Sequence, residues 1–255
     1  MSRMTENLRE TARADIGIVC ALTMEVTPFL RLLDRPRKYV GGDFVFRGGQ
    51  IEALRVAVVE SGPGATRAER ATHALLDGHS PKWVISVGFC GGLQPNMRCG
   101  DLIVANSVSN ASGESLVINL RMPADPDHGL FVGTLLTVDQ IVRTVEEKQS
   151  WGERTGAVGV DLESYAVATV CRDRKVPFMA IRTVSDPLEE TLAPEVLTLM
   201  GKSPFARVGA VAGALWKRPS SIQDLWKLRE KANSAAQRLA PFLVSFCRQL
   251  GDADY

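Results

Sequence analysis

The 255-residue chain has no stretch of eighteen consecutive apolar residues, so no transmembrane helix is expected. Its first fifteen residues, MSRMTENLRETARAD, lack the apolar h-region of a secretion signal. Residues 1–14 read as a loose tail, and the protein is expected in the cytoplasm. Charge of one sign does not dominate either. The net charge is +1, which removes the general electrostatic reason to expect nucleic acid or an anionic membrane as partner. The five cysteines (Cys20, Cys90, Cys99, Cys171, Cys247) are scattered, odd in number and form no CxxC pair. They predict neither a disulfide framework nor a zinc site. The three histidines (His73, His79, His128) have no ligand spacing, so no metal is expected. Internal repeats and low-complexity segments are also missing.

What remains is ordinary globular composition, 45% hydrophobic and 23% charged, long enough for one α/β domain with a full core. Short apolar runs alternate with helical periodicity. Residues 16–21 (IGIVCA), 83–87, 102–105 and 178–184 predict strands, and residues 24–33, 65–76, 140–148 and 160–171 predict helices. Residues 44–47 and 51–59 predict two strands joined in a hairpin at Gly48-Gly49. Residues 106–133 read as strand plus loop. The stretch 207–250 reads as helical, with breaks at Pro219 and Pro241. Strands buried on both faces between helices predict a three-layer α/β/α fold with a central mixed, largely parallel twisted sheet. The domain is expected to span 15–255, with a C-terminal helical extension from about 207.

In open α/β sheets, ligands bind beyond the carboxyl ends of the strands, so polar residues directly after apolar runs are the site candidates. Glu25 is the first. With Phe29, Leu32 and Leu33 it falls at i, i+4, i+7 and i+8, which puts a carboxylate on the apolar stripe of its helix. Burial there raises a carboxylate's pKa and suits a general base. The competing role is a first-turn Glu that stabilises the helix dipole. Ser61-Gly62-Pro63-Gly64 follows VAVVE and is either an ordinary turn or a place where backbone N–H groups approach a ligand. Gly88-Phe89-Cys90-Gly91-Gly92 follows WVISV, with the same pair of alternatives. Glu163 aligns with Val167, Val170 and Cys171, again on a buried stripe, behind Asp161 as the expected N-cap. Residues 178–184 deliver Ser185 and Asp186 at a strand end, where Asp186 is either a helix start signal or a functional acid. Acidic side chains from distant elements, without a metal, suit cleavage through an oxocarbenium-like sugar.

These segments also carry a resemblance. DIGIVCALTMEV, VVESGPG, SVGFCGGLQPNMRCGDLIVAN, GVDLESYAVATVC and VPFMAIRTVSD resemble, in order and spacing, the nucleoside phosphorylase/nucleosidase superfamily over residues 15–105 and 155–187. The branch nearest in motifs is methylthioadenosine/S-adenosylhomocysteine nucleosidase. The resemblance implies cleavage of the N-glycosidic bond of a purine nucleoside, with no cofactor. It makes Asp186 the general acid toward N7 of the base, oriented by Ser185, and Glu25 the residue that activates water. Glu163 would hold the ribose hydroxyls with Leu162 against the sugar, and Gly88, Phe89 and Gly91 would line the base pocket near Ser61 and Gly62. Ile141 stands where the family places a purine-stacking Phe.

Phosphorylases of this kind carry Gly-Asp-x-x-Arg where residues 22–26 stand here, and a Ser or Thr in place of Phe89. That favours water over phosphate as the nucleophile. Arg67 and Arg70 leave the phosphate-dependent alternative open. The tail FARVGAVAGALWKRPSSIQDLWKLREKANSAAQRL resembles hopanoid-associated nucleoside phosphorylase-like proteins. It implies that Trp216 and Trp226 either serve a greasy 5′ substituent or simply pack against the body. Other readings are a non-catalytic nucleoside-binding protein and, for assembly, a homo-oligomer, as is common in the superfamily.

Overall fold

A computed structural model describes residues 13–192 and 220–252, with side chains from 230 onward in the last segment. The chain begins with β1 (Ile16–Cys20), α1 (Thr23–Leu30), β2 (Asp34–Gly41), β3 (Phe44–Ile51) and β4 (Leu54–Glu60). Next come α2 (Ala65–His79), β5 (Trp83–Gly92), β6 (Leu102–Asn110), β7 (Ser115–Val117) and β8 (Leu130–Thr137). It finishes with α3 (Val145–Thr155), β9 (Gly159–Asp161), α4 (Ser164–Asp173), β10 (Phe178–Asp186) and α5 (Ser220–Asp252).

The strands form one mixed sheet in the order β2-β3-β4-β1-β5-β10-β6-β8-β9, with β7 on β6. Because β9 returns to pair with β5, five strands (β5, β10, β6, β8, β9) close into a ring. The centre, β4-β1-β5-β10, is parallel throughout. The carboxyl ends of these four strands therefore emerge along one edge, and the candidate site segments hang from that edge except those around Glu163 and Ile141.

Helices cover both faces. α5 contributes Leu239, Leu243, Phe246 and Cys247 to the same apolar cluster as Val26 and Phe29 of α1. α2 and α4 pack on the other face through Ala71, Leu75, Val167 and Val170. Burying Phe29 or Leu243 alone is worth roughly 2 kcal/mol. Ala14 is already buried, and its N–H bonds the His79 carbonyl at 2.9 Å.

Several expectations need correction. The hairpin turns at residues 52–53, not at Gly48-Gly49, which lie inside β3. A Cβ at Gly49 would stand 2.6 Å from the Asp34 carbonyl oxygen, so these glycines answer a close backbone approach. β2 was not expected. The predicted 140–148 helix starts only at Val145, capped by the Thr144 hydroxyl, which accepts from the Glu147 N–H at 3.2 Å. The predicted 160–171 helix is β9 followed by α4. Leu32 is exposed, off the stripe assigned to it. Pro241 lies within α5 without breaking it, while Pro219, Trp216 and the Trp226 side chain fall outside the described residues. Among the described residues no helix is long and apolar enough to cross a membrane.

Candidate active site

β5 runs through Gly88, Phe89 and Gly91, which are strand residues, not the loop that was expected. Its end is held from both sides: Gly91 pairs with Asp186 of β10 and with Val160 of β9. The glycines are needed for what leans against them. A Cβ at Gly88 would stand 2.9 Å from Glu25 Oε1, and one at Gly91 would stand 3.2 Å from Asp186 Oδ2. Two carboxylates are thus laid along one strand, three residues or about 10 Å apart.

Glu25 sits in the first turn of α1 and is buried. Its Oε2 accepts the Leu22 N–H at 2.8 Å, which closes the helix start, and its Oε1 accepts the Phe89 N–H at 3.3 Å. Burial pushes its pKa up to about 7 against these hydrogen bonds and the positive charge of Arg182. Both roles open in the sequence, helix start and buried carboxylate, are therefore occupied by one side chain.

Glu163 is buried, but not on a helical stripe. It occupies the N-cap position of α4, and its Oε1 accepts the Gly64 N–H at 2.8 Å. The Ser61–Gly64 turn thereby meets the start of α4. Burial and the negative charge of Asp161 raise the Glu163 pKa to about 7, opposed by Arg182 and the Gly64 N–H. Ser61 itself is buried. Its hydroxyl bonds the Cys20 and Gly62 carbonyls at 3.2 and 2.7 Å, and Gly62 takes a positive φ of 76°. Asp161, expected as the N-cap, instead ends β9. It accepts the Thr137 hydroxyl at 2.7 Å and the Glu163 and Ser164 N–H groups at 3.3 Å each.

Asp186 ends β10, buried, with Oδ1 accepting the Ser185 hydroxyl at 2.6 Å. Burial raises its pKa, against the pull of Lys148 and Ser185. Leu162 is half-buried against the cluster of Leu93, Leu136, Val142 and Val160. Ile141 is half-buried in the segment before α3. Neither arginine weighed for phosphate is free of other work: Arg67 Nε donates to the Ser61 carbonyl at 2.7 Å, and Arg70 pairs with the exposed Asp43 at 2.5 Å.

Sequence reasoning missed two buried cations. Arg182, fully buried on β10, donates to Asp161 Oδ2 and Ser86 Oγ, each at 2.8 Å. Its charge is felt by both Glu25 and Glu163. An Arg inside the apolar run FMAIRTVSD was the available signal. Lys148, fully buried on α3, stands 2.7 Å from Asp186 Oδ2. Nothing in the polar run VEEKQSW distinguished it from a solvated lysine. Among the described residues no group of three or more His, Cys, Asp or Glu side chains is placed to hold a metal ion.

The candidate site thus brings together the buried carboxyl groups of Glu25, Glu163 and Asp186, the buried cations Arg182 and Lys148, and a fourth buried carboxyl group, Asp161, paired with Arg182. The chain matches a family model described as the phosphorylase superfamily, over residues 15–131 and 125–210. A 5′-methylthioadenosine/S-adenosylhomocysteine nucleosidase from Desulfotalea psychrophila is 23% identical over 207 residues, covering 72% of this chain and 88% of that one. Its counterpart from Shewanella loihica is 27% identical over 196 residues, covering 67% and 85%. Among solved structures, the futalosine hydrolase of Helicobacter pylori superposes with a TM-score of 0.65 at 20% identity, covering 92% of this chain and 99% of that one. The methylthioadenosine/S-adenosylhomocysteine nucleosidase of the same organism, bound to butyl-thio-DADMe-Immucillin-A, gives 0.65 at 20%, covering 91% and 99%.

Proposed function

Because the chain belongs to the phosphorylase superfamily, we propose that it hydrolyses the N-glycosidic bond of an adenosine-type nucleoside. The single observation that carries this is the set of three buried carboxyl groups, Glu25, Glu163 and Asp186, around the end of one parallel strand. The two curated relatives described above are named for the same reaction class.

In this reading Asp186 delivers a proton to N7 of the base as the C1′–N9 bond breaks, and the bonding electron pair leaves with the base. Ser185 fixes the carboxyl group through Oδ1. Glu163 accepts the ribose hydroxyls and places C1′ beneath the strand, with Leu162 and the Ser61–Gly62 turn beside the sugar. Glu25 takes the proton of the water that attacks C1′. A carboxyl group at about pKa 7 is a usable base near neutral pH, and a proton-bearing partner is needed on the base side. Separate carboxylates on opposite sides of the scissile bond, with room for water, form the inverting arrangement.

Water is favoured over phosphate by Glu25. Its carboxylate occupies the place where a phosphate dianion would stand, beside the Phe89 N–H, and would repel it. Arg67 is turned onto the Ser61 carbonyl.

The test is adenine release from 5′-methylthioadenosine and adenosine, with and without phosphate. Release without phosphate, lost by about 100-fold or more in Asp186→Asn with the fold intact, is the expected result. Strict dependence on phosphate would replace hydrolysis by phosphorolysis. Binding without turnover would leave only a nucleoside-binding protein.

A further inference from the structure

Lys148 is the buried charge that the reaction just described leaves without a task. It is fully buried on α3, and its ammonium stands 2.7 Å from Asp186 Oδ2. It also reaches three backbone carbonyls: Pro187 at 2.7 Å, Glu190 at 2.8 Å and Asp186 itself at 3.3 Å. An ammonium has three N–H donors. All three are directed at carbonyls, which leaves Asp186 Oδ2 buried beside the cation without a directed hydrogen bond. The longest of the three is the bond to Asp186 O, so Oδ2, closer at 2.7 Å, competes with that carbonyl for the third hydrogen.

This arrangement conflicts with a simple acid. The Ser185 hydroxyl on Oδ1 and the ammonium beside Oδ2 pull the carboxyl group toward the anion, against the burial that favours its proton, yet the base needs a proton from it. We propose that Lys148 is the proton reservoir behind Asp186, so that the acid of the reaction is a two-residue couple; this rests on the hydrolase reading above.

The step balances. One proton passes from Lys148 Nζ to Asp186 while the Asp186 carboxyl group yields one to N7, and the C1′–N9 electron pair leaves with the neutral base. Lys148 becomes a neutral amine with two N–H groups, and those match the two short carbonyl bonds to Pro187 and Glu190. Glu25 takes a proton from water, and exchange with solvent after product release returns a proton to Lys148.

The other titratable groups around the couple are neutral or already paired. Facing the couple from β5 is Cys90, and from the turn before β6 is Cys99, both with pKa raised by burial. From the segment after β10 comes Glu190, whose carboxylate is taken by Lys231 of α5 at 2.6 Å. Arg182 on β10 is spent on Asp161. No second cation therefore pairs with Asp186 among the described residues. Without water, the ionic and neutral forms of a Lys–Asp pair come closer in energy than they are in solution.

The experiment uses Lys148→Arg and Lys148→Met with two substrates. Arg keeps a positive charge and donors for the carbonyls but does not give up its proton. 5′-Methylthioadenosine needs a protonated base to leave; 4-nitrophenyl β-ribofuranoside does not. Both variants are expected to lose adenine release by about 100-fold in kcat. KM should stay within about threefold, and nitrophenolate release should stay near the wild-type rate. The alkaline limb of the Lys148→Met pH profile should move about one unit lower, because the carboxyl group alone must then retain the proton. Restoration of adenine release by Arg overturns the proposal and leaves Lys148 a positioning charge. Equal loss on both substrates, with a lowered melting temperature, leaves it a structural residue. A wild type that cleaves neither substrate fails the hydrolase reading, and this inference with it.

Discussion

Gly64 donates its backbone N–H to the carboxylate of Glu163 at 2.8 Å, across 99 positions of sequence. The bond joins the glycine turn after β4 to the N-cap residue of α4. It also explains the positive φ of 98° at Gly64, which presents the N–H outward to an acceptor. Glu163 in turn interacts with Arg182 and Glu25, so the groups assigned to sugar and to water share one electrostatic neighbourhood.

Two neighbouring carboxyl groups raised to about 7 predict the acid side of the pH profile. If both must be ionised, one to take a proton from water and the other to accept ribose hydroxyls, log kcat/KM falls below about pH 7 with a slope near two. The apparent values belong to the coupled pair, not to either residue. In Glu163→Gln the slope should drop to about one and KM should rise, because the sugar loses an anionic acceptor. A slope of one in the wild type would mean that only one of the two titrates with activity.

Gly88 predicts a second result. A Cβ there meets Glu25 Oε1 at 2.9 Å, and the next nearest atoms belong to the same carboxylate. Gly88→Ala should therefore move Glu25 while leaving the rest of β5 in register. A displaced base costs about 100-fold in kcat, with little change in the melting temperature. Gly91→Ala is a useful contrast. Its Cβ stands 3.2 Å from Asp186 Oδ2, and the loss should be larger on nucleosides than on 4-nitrophenyl riboside. Steady-state kinetics on both substrates separates the two.

Much of the candidate site was legible because it obeys short-range rules. Glu25 announced itself through i, i+4 spacing with Phe29, and both are buried. Asp186 followed from an apolar run that had to end at the sheet edge. Glu163 was found for the wrong reason: it stands at the N-cap position of α4 and does not ride on its stripe, and only the fold brings Gly64 to its carboxylate. β2 was invisible because DRPRKYVG is an almost fully exposed edge strand that carries Pro, Arg and Lys, which guard a free edge. Lys148 could not be read because its partners, three backbone carbonyls and the Asp186 carboxylate, lie 38 to 42 residues away, outside any local pattern. Ring closure of β9 onto β5 rests on two residue pairs, too few to leave a pattern.

Glu25 also predicts a pH-dependent stability. Its ordinary pKa of 4.5 applies to the unfolded chain, and about 7 applies to the folded one. Between those values the folded protein binds a proton that the unfolded chain has released. Stability is therefore fully present below pH 4.5 and is lost as pH rises to about 7. The loss is on the order of 3 kcal/mol for this one group. Glu25→Gln does not titrate, so it should melt at a higher temperature than the wild type at pH 8, and the gap should close toward pH 5. Calorimetry at the two pH values checks this. The more stable variant should be the less active one, as expected where a buried base is kept for function.

Arg182 predicts the opposite balance. It is the buried counter-charge of Asp161, and replacing it by Met leaves that carboxylate unpaired in the interior. Removing one partner of a buried pair costs about 3–5 kcal/mol, which for a chain of this size lowers the melting temperature by on the order of 10 °C. The variant also removes the cation that holds Glu25 and Glu163 down, so the acid limb of any residual activity should move to higher pH. A second change separates packing from charge. Arg182→Met with Asp161→Asn leaves no orphan carboxylate, so much of the stability should return; the upward shift should persist at Glu25, while Glu163, which also loses the Asp161 charge, should move back down. If the double variant melts no higher than the single one, the stabilising role of Arg182 lies in its bond to Ser86 and its packing, not in the ion pair with Asp161.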